Sequence, residues 1–171
     1  LWAVLKAPGT IRNFQFGSTF KESSVDDIFI GDAGANIIQG RAGNTKLFGG
    51  AGNDTIYGDA GDDVIVGGTG DDNFKGNSNG YAYGNDTYQF RKGDGVDIVY
   101  DYDPTVGNMD TVQFMDVAST DITGVYNSSG NLVLTYGSSD KVTIHSYFNQ
   151  DSTRIEQFKF SDGVTWGLAE I

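Results

Sequence analysis

Glycine returns every nine residues in the middle of this chain, at Gly31, Gly40, Gly49, Gly58, Gly67 and Gly76. Three more columns keep the same step. The fourth position reads Gly34, Gly43, Gly52, Gly61, Gly70, and the sixth reads Asn36, Thr45, Asp54, Asp63, Asp72. The eighth reads Ile38, Leu47, Ile56, Ile65, Phe74. A period of nine fits neither the 3.6 of a helix nor the plain alternation of a two-faced strand. It does fit a repeated turn followed by a short strand. Glycines at the first, second and fourth positions permit a positive-φ turn in which carbonyl oxygens converge. The sixth position adds a carboxylate, and positions seven to nine extend as a strand with only the eighth side chain facing inward.

Two units then make one coil of eighteen residues, and successive coils stack at the parallel-strand spacing of about 4.8 Å. Stacking sets the sixth position of each unit beside that of the unit two further on. Along one edge lie Asn36, Asp54, Asp72 and Asp97; along the other lie Asp27, Thr45, Asp63 and Asp86. The outer members come from imperfect units: "ESSVDDIFI" before Gly31, "GNDTYQ" after the interruption "SNGYAY", and "KGDGVDIVY". Bare carboxylates about 5 Å apart repel by roughly 3 kcal/mol at an effective dielectric near 20. A divalent cation between them reverses the sign, and hard carboxylate and carbonyl oxygens suit calcium. One inward side chain per nine residues is also a thin core against the entropy of ordering nine. The middle zone is therefore expected to be unfolded without calcium and to fold on binding several Ca2+ ions.

Composition agrees with this. The chain of 171 residues has 23 acidic and 11 basic side chains, a net charge of −12, 25 glycines and no cysteine. Nucleic acid and anionic membrane surfaces are poor partners for such a charge, and cations are good ones. Disulfides and thiolate metal sites are excluded. No apolar run is long enough for a transmembrane helix, and no signal peptide is visible. The opening "LWAVLKAPGT" reads as a cut from a larger chain. Three zones are expected: residues 1–21 as an N-terminal strand, cap or linker, 22–103 as the roll, and 104–171 as a β-rich cap. The last zone holds "DTVQF", "NLVLTYG", "KVTIHSYF", "RIEQFKF" and "VTWGLAEI", separated by turn residues, and reads as a compact antiparallel unit.

The units resemble the G-G-x-G-x-D-x-U-x nonapeptide of the RTX (repeats-in-toxin) family. The phrases after the repeats are similar to the segment that commonly follows them in secreted bacterial proteins. The resemblance implies an all-β parallel β-roll, or β-solenoid, with a C-terminal antiparallel β cap. It also implies which groups hold the ions. Carbonyls of positions two and four would join position six of one unit, and those of positions one and three would join position six of the unit two further on. The strongest site would then take Gly50, Gly52, Asp54, Gly67, Thr69 and Asp72. The site before it takes Asp32, Gly34, Asn36, Gly49, Ala51 and Asp54, with one negative charge fewer. The opposite edge offers Asp59, Gly61, Asp63, Gly76 and Asp86, and Gly58 and Ala60 beside the weak Thr45. Gly68, Gly70 and Asp72 would meet Asp97, although the added "FR" before Lys92 disturbs the spacing. Export by type I secretion, an extracellular location and folding in external calcium follow from the same resemblance.

Other chemistries lack their residues. The twelve-residue EF-hand spacing, a nucleophile elbow and a phosphate loop are absent, and the single histidine, His145, reads as a structural strand residue. Asp62 and Asp63 could suggest paired acid–base carboxylates, but their places in the repeat make them a turn residue and a ligand. The chain is not expected to be an enzyme; a catalytic fragment of a secreted hydrolase is the reading set aside. The alternative kept is a carbohydrate- or surface-binding module, with Tyr81 and Tyr83 offered to a glycan or host surface. Trp2 and Trp166 read as core or cap residues.

Overall fold

A computed structural model describes residues 26–75 and 83–171, and these form an all-β fold of two seven-stranded sheets. The first zone, with Trp2, lies outside the described residues, as do Gly76 and Tyr81.

The repeat supplies the strands in alternation. β1 (Ile28–Ile30), β3 (Lys46–Ala51), β5 (Val64–Thr69) and β7 (Thr87–Phe90) pair in parallel in one sheet. β2 (Ile37–Gln39), β4 (Thr55–Tyr57), β6 (Asn73–Lys75) and β8 (Val96–Tyr100) pair in parallel in the other. Ile28 faces Lys46 and Lys46 faces Val64, so each coil is eighteen residues, as the spacing requires. The next steps stretch: Val64 faces Thr87, and Asn73 faces Ile98. The register of inward side chains survives both steps, since Ile65 faces Tyr88 and Phe74 faces Val99.

The eighth position of each unit is the core. Leu47, Ile56, Ile65, Phe74, Tyr88 and Val99 are all buried, and they belong to one apolar cluster drawn from both sheets. Phe74 of one sheet meets Tyr88 and Phe90 of the other edge-to-face, at ring separations of 6.0 and 5.4 Å.

The parallel ladder continues beyond residue 103. β9 (Thr111–Phe114) pairs in parallel with β7, and β13 (Gln157–Lys159) pairs in parallel with β9. β12 (Asp140–Ile144) pairs in parallel with β8. The antiparallel pairing expected of this segment is confined to the ends of the sheets. β10 (Ile122–Ser128) and β11 (Asn131–Tyr136) form a hairpin that runs on to β12, and β14 (Thr165–Trp166) folds back on β13. Phe114 stacks on Phe160 at 5.2 Å, and Trp166 stands edge-on to Phe160 at 4.5 Å. These rings extend the same apolar cluster that the repeats begin. His145 lies just past β12 and is exposed; its N–H bonds the Val99 carbonyl and its ring lies 4.8 Å from that of Tyr100.

Candidate calcium site

Two columns of acidic side chains run along the turns. In the first, the Asn36 N–H donates to Asp54 Oδ1 at 2.7 Å, that of Asp54 to Asp72 Oδ1 at 2.7 Å, and that of Asp72 to Asp97 Oδ1 at 3.0 Å. In the second, the Thr45 N–H donates to Asp63 Oδ1 at 2.8 Å, that of Asp63 to Asp86 Oδ1 at 2.9 Å, and that of Asp86 to Asp110 Oδ1 at 2.8 Å. One carboxylate oxygen per coil therefore accepts a backbone bond from the coil below. The other does not. Oδ2 of Asp54, Asp63, Asp72, Asp86 and Asp97 is buried with no hydrogen-bond partner.

A buried carboxylate oxygen without a donor is costly, because it has lost water and gained nothing. Burial accordingly pushes these groups up in the metal-free fold: Asp72 to about 6, Asp63 to about 7 and Asp97 to about 8, with Asp86 well above its ordinary value. Neighbouring carboxylates add to the rise, since Asp54 and Asp94 act on Asp72 and Asp63 acts on Asp86. Either protons or cations must compensate this charge at neutral pH.

The glycines decide how close the oxygens come. Those at positions two and four, Gly34 apart, have left-handed backbone, among them Gly50 at φ 112°, Gly68 at 100°, Gly52 at 99° and Gly70 at 136°. Position one does not use that freedom; its glycine is there for space. A Cβ on Gly49 would fall on Asp54 Oδ2 and on the Gly67 carbonyl, and one on Gly67 would fall on Asp72 Oδ2. The missing side chain thus lets the carboxylate of one unit and the position-one carbonyl of the next coil share a single small volume. Asp59 and Arg41 take the left-handed conformation at position two without being glycine, at φ 70° and 74°, and the Arg41 N–H bonds Asp59 Oδ2 at 3.1 Å.

The expected ligands are placed unequally. Asp54, Gly67 and Asp72 meet as described. The Gly50 and Gly52 carbonyls occupy the space that a Cβ on Gly68 and Gly70 would take, while the Thr69 carbonyl accepts the Gly52 N–H at 2.8 Å. The Ala60 carbonyl accepts the Gly43 N–H at 3.0 Å, and the Asp32 carbonyl accepts that of Ala51 at 3.1 Å. Gly84, in the interrupted unit, packs on the Gly61 carbonyl. Asn36 differs from the aspartates: its Oδ1 accepts the Asp32 N–H at 2.7 Å and its amide donates to Asp32 Oδ1 at 2.9 Å. Thr45 turns its hydroxyl to Asp63 Oδ1 at 2.8 Å. Asp97 joins its column despite the added residues, which the Arg91–Asp94 turn absorbs through a 2.7 Å bond from the Arg91 N–H to Asp94 Oδ2.

Two members of the second column escape a strict nine-residue reading. Asp110 follows Asp86, and the Asp110 N–H donates to Glu156 Oε2 at 2.8 Å, repeating the bond made at every earlier step. The phrase "GNMDTVQF" carries the same Gly-Asn and Asp-Thr pairs as "GNDTIYG", with one residue inserted between them. Glu156 has no such signal. The first column stops at Asp97 because the next strand sets the apolar Val142 opposite it. Among the described residues no three acidic or histidine side chains converge as a complete metal cluster. The residues fit a cation that takes one or two carboxylates and completes its shell with carbonyls, which is calcium chemistry.

Comparison with known proteins gives the same answer. Residues 23–44 and 42–74 match the RTX calcium-binding nonapeptide repeat family. Residues 23–74 are RTX calcium-binding repeats. Residues 131–170, from β11 onward, match the haemolysin-type calcium binding protein related domain. The chain is also similar to the iron-regulated protein FrpA of Neisseria meningitidis serogroup C, 34% identical over 90 residues. That match covers 50% of this chain and 8% of the relative, so the chain spans under a tenth of the protein it resembles. Among the described residues no helix is long and apolar enough to cross a membrane.

Proposed function

We propose that this chain is a calcium-dependent folding module of a secreted bacterial protein, ordered by Ca2+ ions seated between successive RTX turns. The observation that carries the reading is the row of buried Oδ2 atoms without donors at Asp54, Asp63, Asp72, Asp86 and Asp97. Each would gain a cation, and each pair of neighbouring coils would gain a bridge. Asp54 with Asp72, beside the Gly50, Gly52, Gly67 and Thr69 carbonyls, would hold the tightest ion, having two carboxylates and unmodified glycines. The steps at Asn36 and Thr45 would be weaker, since one lacks a charge and the other lacks a carboxylate.

Bound calcium supplies charge compensation and cross-linking. The chain's own groups fix its position, exclude water from Oδ2 and shape the cavity with glycine. Affinities in the range of extracellular modules, about 10⁻⁴ to 10⁻³ M, would leave the chain extended where calcium is scarce and fold it where calcium is plentiful. That difference suits export by type I secretion through a narrow duct, followed by folding outside. The β10–β14 region would seed the process, because its aromatic core relies least on metal.

Far-ultraviolet circular dichroism under calcium titration tests the reading. A coil-to-β transition between micromolar and millimolar calcium is expected, with magnesium failing to substitute because it demands a tighter octahedral shell. Full β signal in excess chelator would overturn it.

A further inference from the structure

Asp101 breaks the pattern of the turns. It follows Tyr100, which faces Lys75 in the register of β6 and β8, and so stands at position one of its unit. At Gly40 and Gly58, the position-one residues three and two coils earlier in the same stack, a Cβ would run into Thr45 Oγ1 and Asp63 Oδ2 respectively. Here the side chain is a carboxylate instead, and its facing neighbour is the position-six carboxylate of its own unit, Asp110.

The two groups cannot satisfy each other as anions. Asp101 is 2% exposed; ionised, neither of its oxygens has a donor, and only a proton shared with Asp110 would join the two side chains. Its strongest electrostatic neighbours are all acidic: Asp110, Asp86 and Glu156. Asp110 is held in place from three sides, by the Asp86 N–H on Oδ1, by Asn108 Nδ2 on Oδ2 at 2.7 Å, and through its own N–H on Glu156. The buried Tyr88 hydroxyl near Asp101 and Oδ2 of Asp86 also lack partners. Both Asp101 oxygens, Asp86 Oδ2 and the Tyr88 hydroxyl are thus buried without a partner in one neighbourhood of the turn.

We propose that Asp101 and Asp110 bind a further calcium ion at the last turn of the second column, through two carboxylates of a single unit. Such a site differs from a nonapeptide turn, where position one contributes a carbonyl and no side chain. Its donors are all oxygen, and the ion joins the repeat to the segment that carries β9 and β13. This inference rests on the calcium-dependent reading above, and its test separates the two.

The full chain is crystallised with calcium, and anomalous difference density is measured at every turn. A peak about 2.3–2.6 Å from both Asp101 and Asp110 is the expected result. Peaks in the nonapeptide turns with none at Asp101 overturn this inference alone; an absence of peaks everywhere overturns the proposed function with it. In solution, Asp101→Asn should bind one calcium fewer per chain than the wild type by equilibrium dialysis. An unchanged count means that the pair is held neutral by protons and that the site does not exist. Should the variant fail to fold, the wild-type density decides.

Discussion

The main-chain N–H of Asp54 donates to Oδ1 of Asp72, eighteen residues later, at 2.7 Å, and Oδ2 of the same carboxylate is buried without a partner. One side chain thus registers two coils with one oxygen and keeps the other buried without a donor. Asp72→Asn keeps an acceptor for the backbone bond and removes the charge. The calcium midpoint of folding should rise at least about tenfold, equivalent to about 1.4 kcal/mol. Asp72→Ala should raise it further, and Asp54→Ala should act alike. Asn36→Ala should shift it least, since Oδ1 of Asn36 is already occupied by the Asp32 N–H. Circular dichroism titrations of the four variants check this order, and equal shifts for Asn36→Ala and Asp72→Ala would refute it.

Space at position one gives a second expectation. A methyl group on Gly67 would land on Asp72 Oδ2 and on the ring of Phe74, so it displaces the carboxylate and the core together. Gly67→Ala should show no β transition at calcium levels that saturate the wild type. Gly93→Ala is the control: its φ of 89° carries strain of about 1–2 kcal/mol, but nothing lies within 4 Å of its added carbon. It should fold with a modest rise in midpoint.

Protons and calcium compete for the same oxygens, and this fixes the sign of the pH dependence. Burial lifts Asp72 to about 6, Asp63 to about 7 and Asp97 to about 8 in the metal-free fold, against about 3.9 in an unfolded chain. Between about pH 4 and 8 the metal-free fold therefore holds more protons than the unfolded chain, and it loses stability as pH rises through that window. Calcium binding must expel these protons. In chelator, β content should grow on acidification from pH 8 to 5. With calcium, the midpoint should instead rise as pH falls, and calorimetry in buffers of different ionisation enthalpy should register proton release on binding. A midpoint independent of pH would show that the position-six carboxylates do not ligate.

The sequence made the strictly periodic part legible because one feature, the step of nine, encodes turn, ligand and core at once. Leu47, Ile56, Ile65 and Phe74 are buried where the eighth position puts them, and Asp54 meets Asp72 where stacking by eighteen puts it. Legibility failed where the step changed. Glu156 serves the column of Asp110 across 46 residues, with the β10–β12 hairpins between them, and no local pattern ties such distant residues. β12 reads as one more hairpin strand because its antiparallel partner β11 adjoins it in sequence, while its parallel partner β8 does not. The role of glycine at position one was hidden for another reason. Sequence shows the residue type, and only the neighbouring oxygens show that space rather than φ is what it provides.

Thr45 is the weak rung of the second column, and strengthening it separates the cation from every other source of stability. Its N–H and its hydroxyl both donate to Asp63 Oδ1, at 2.8 Å each, so it calms that carboxylate without offering one of its own. Thr45→Asp removes the hydroxyl bond and sets a second negative charge about one strand spacing from Asp63. In chelator the added repulsion, roughly 3 kcal/mol before screening, should destabilise any residual structure. In calcium the same charge becomes a ligand, and the midpoint should fall about two- to tenfold. Only an ion between the two side chains reverses the sign in this way; a core-driven fold would lose stability in both media. A calcium midpoint that rises in Thr45→Asp would place the ions elsewhere than between successive position-six residues.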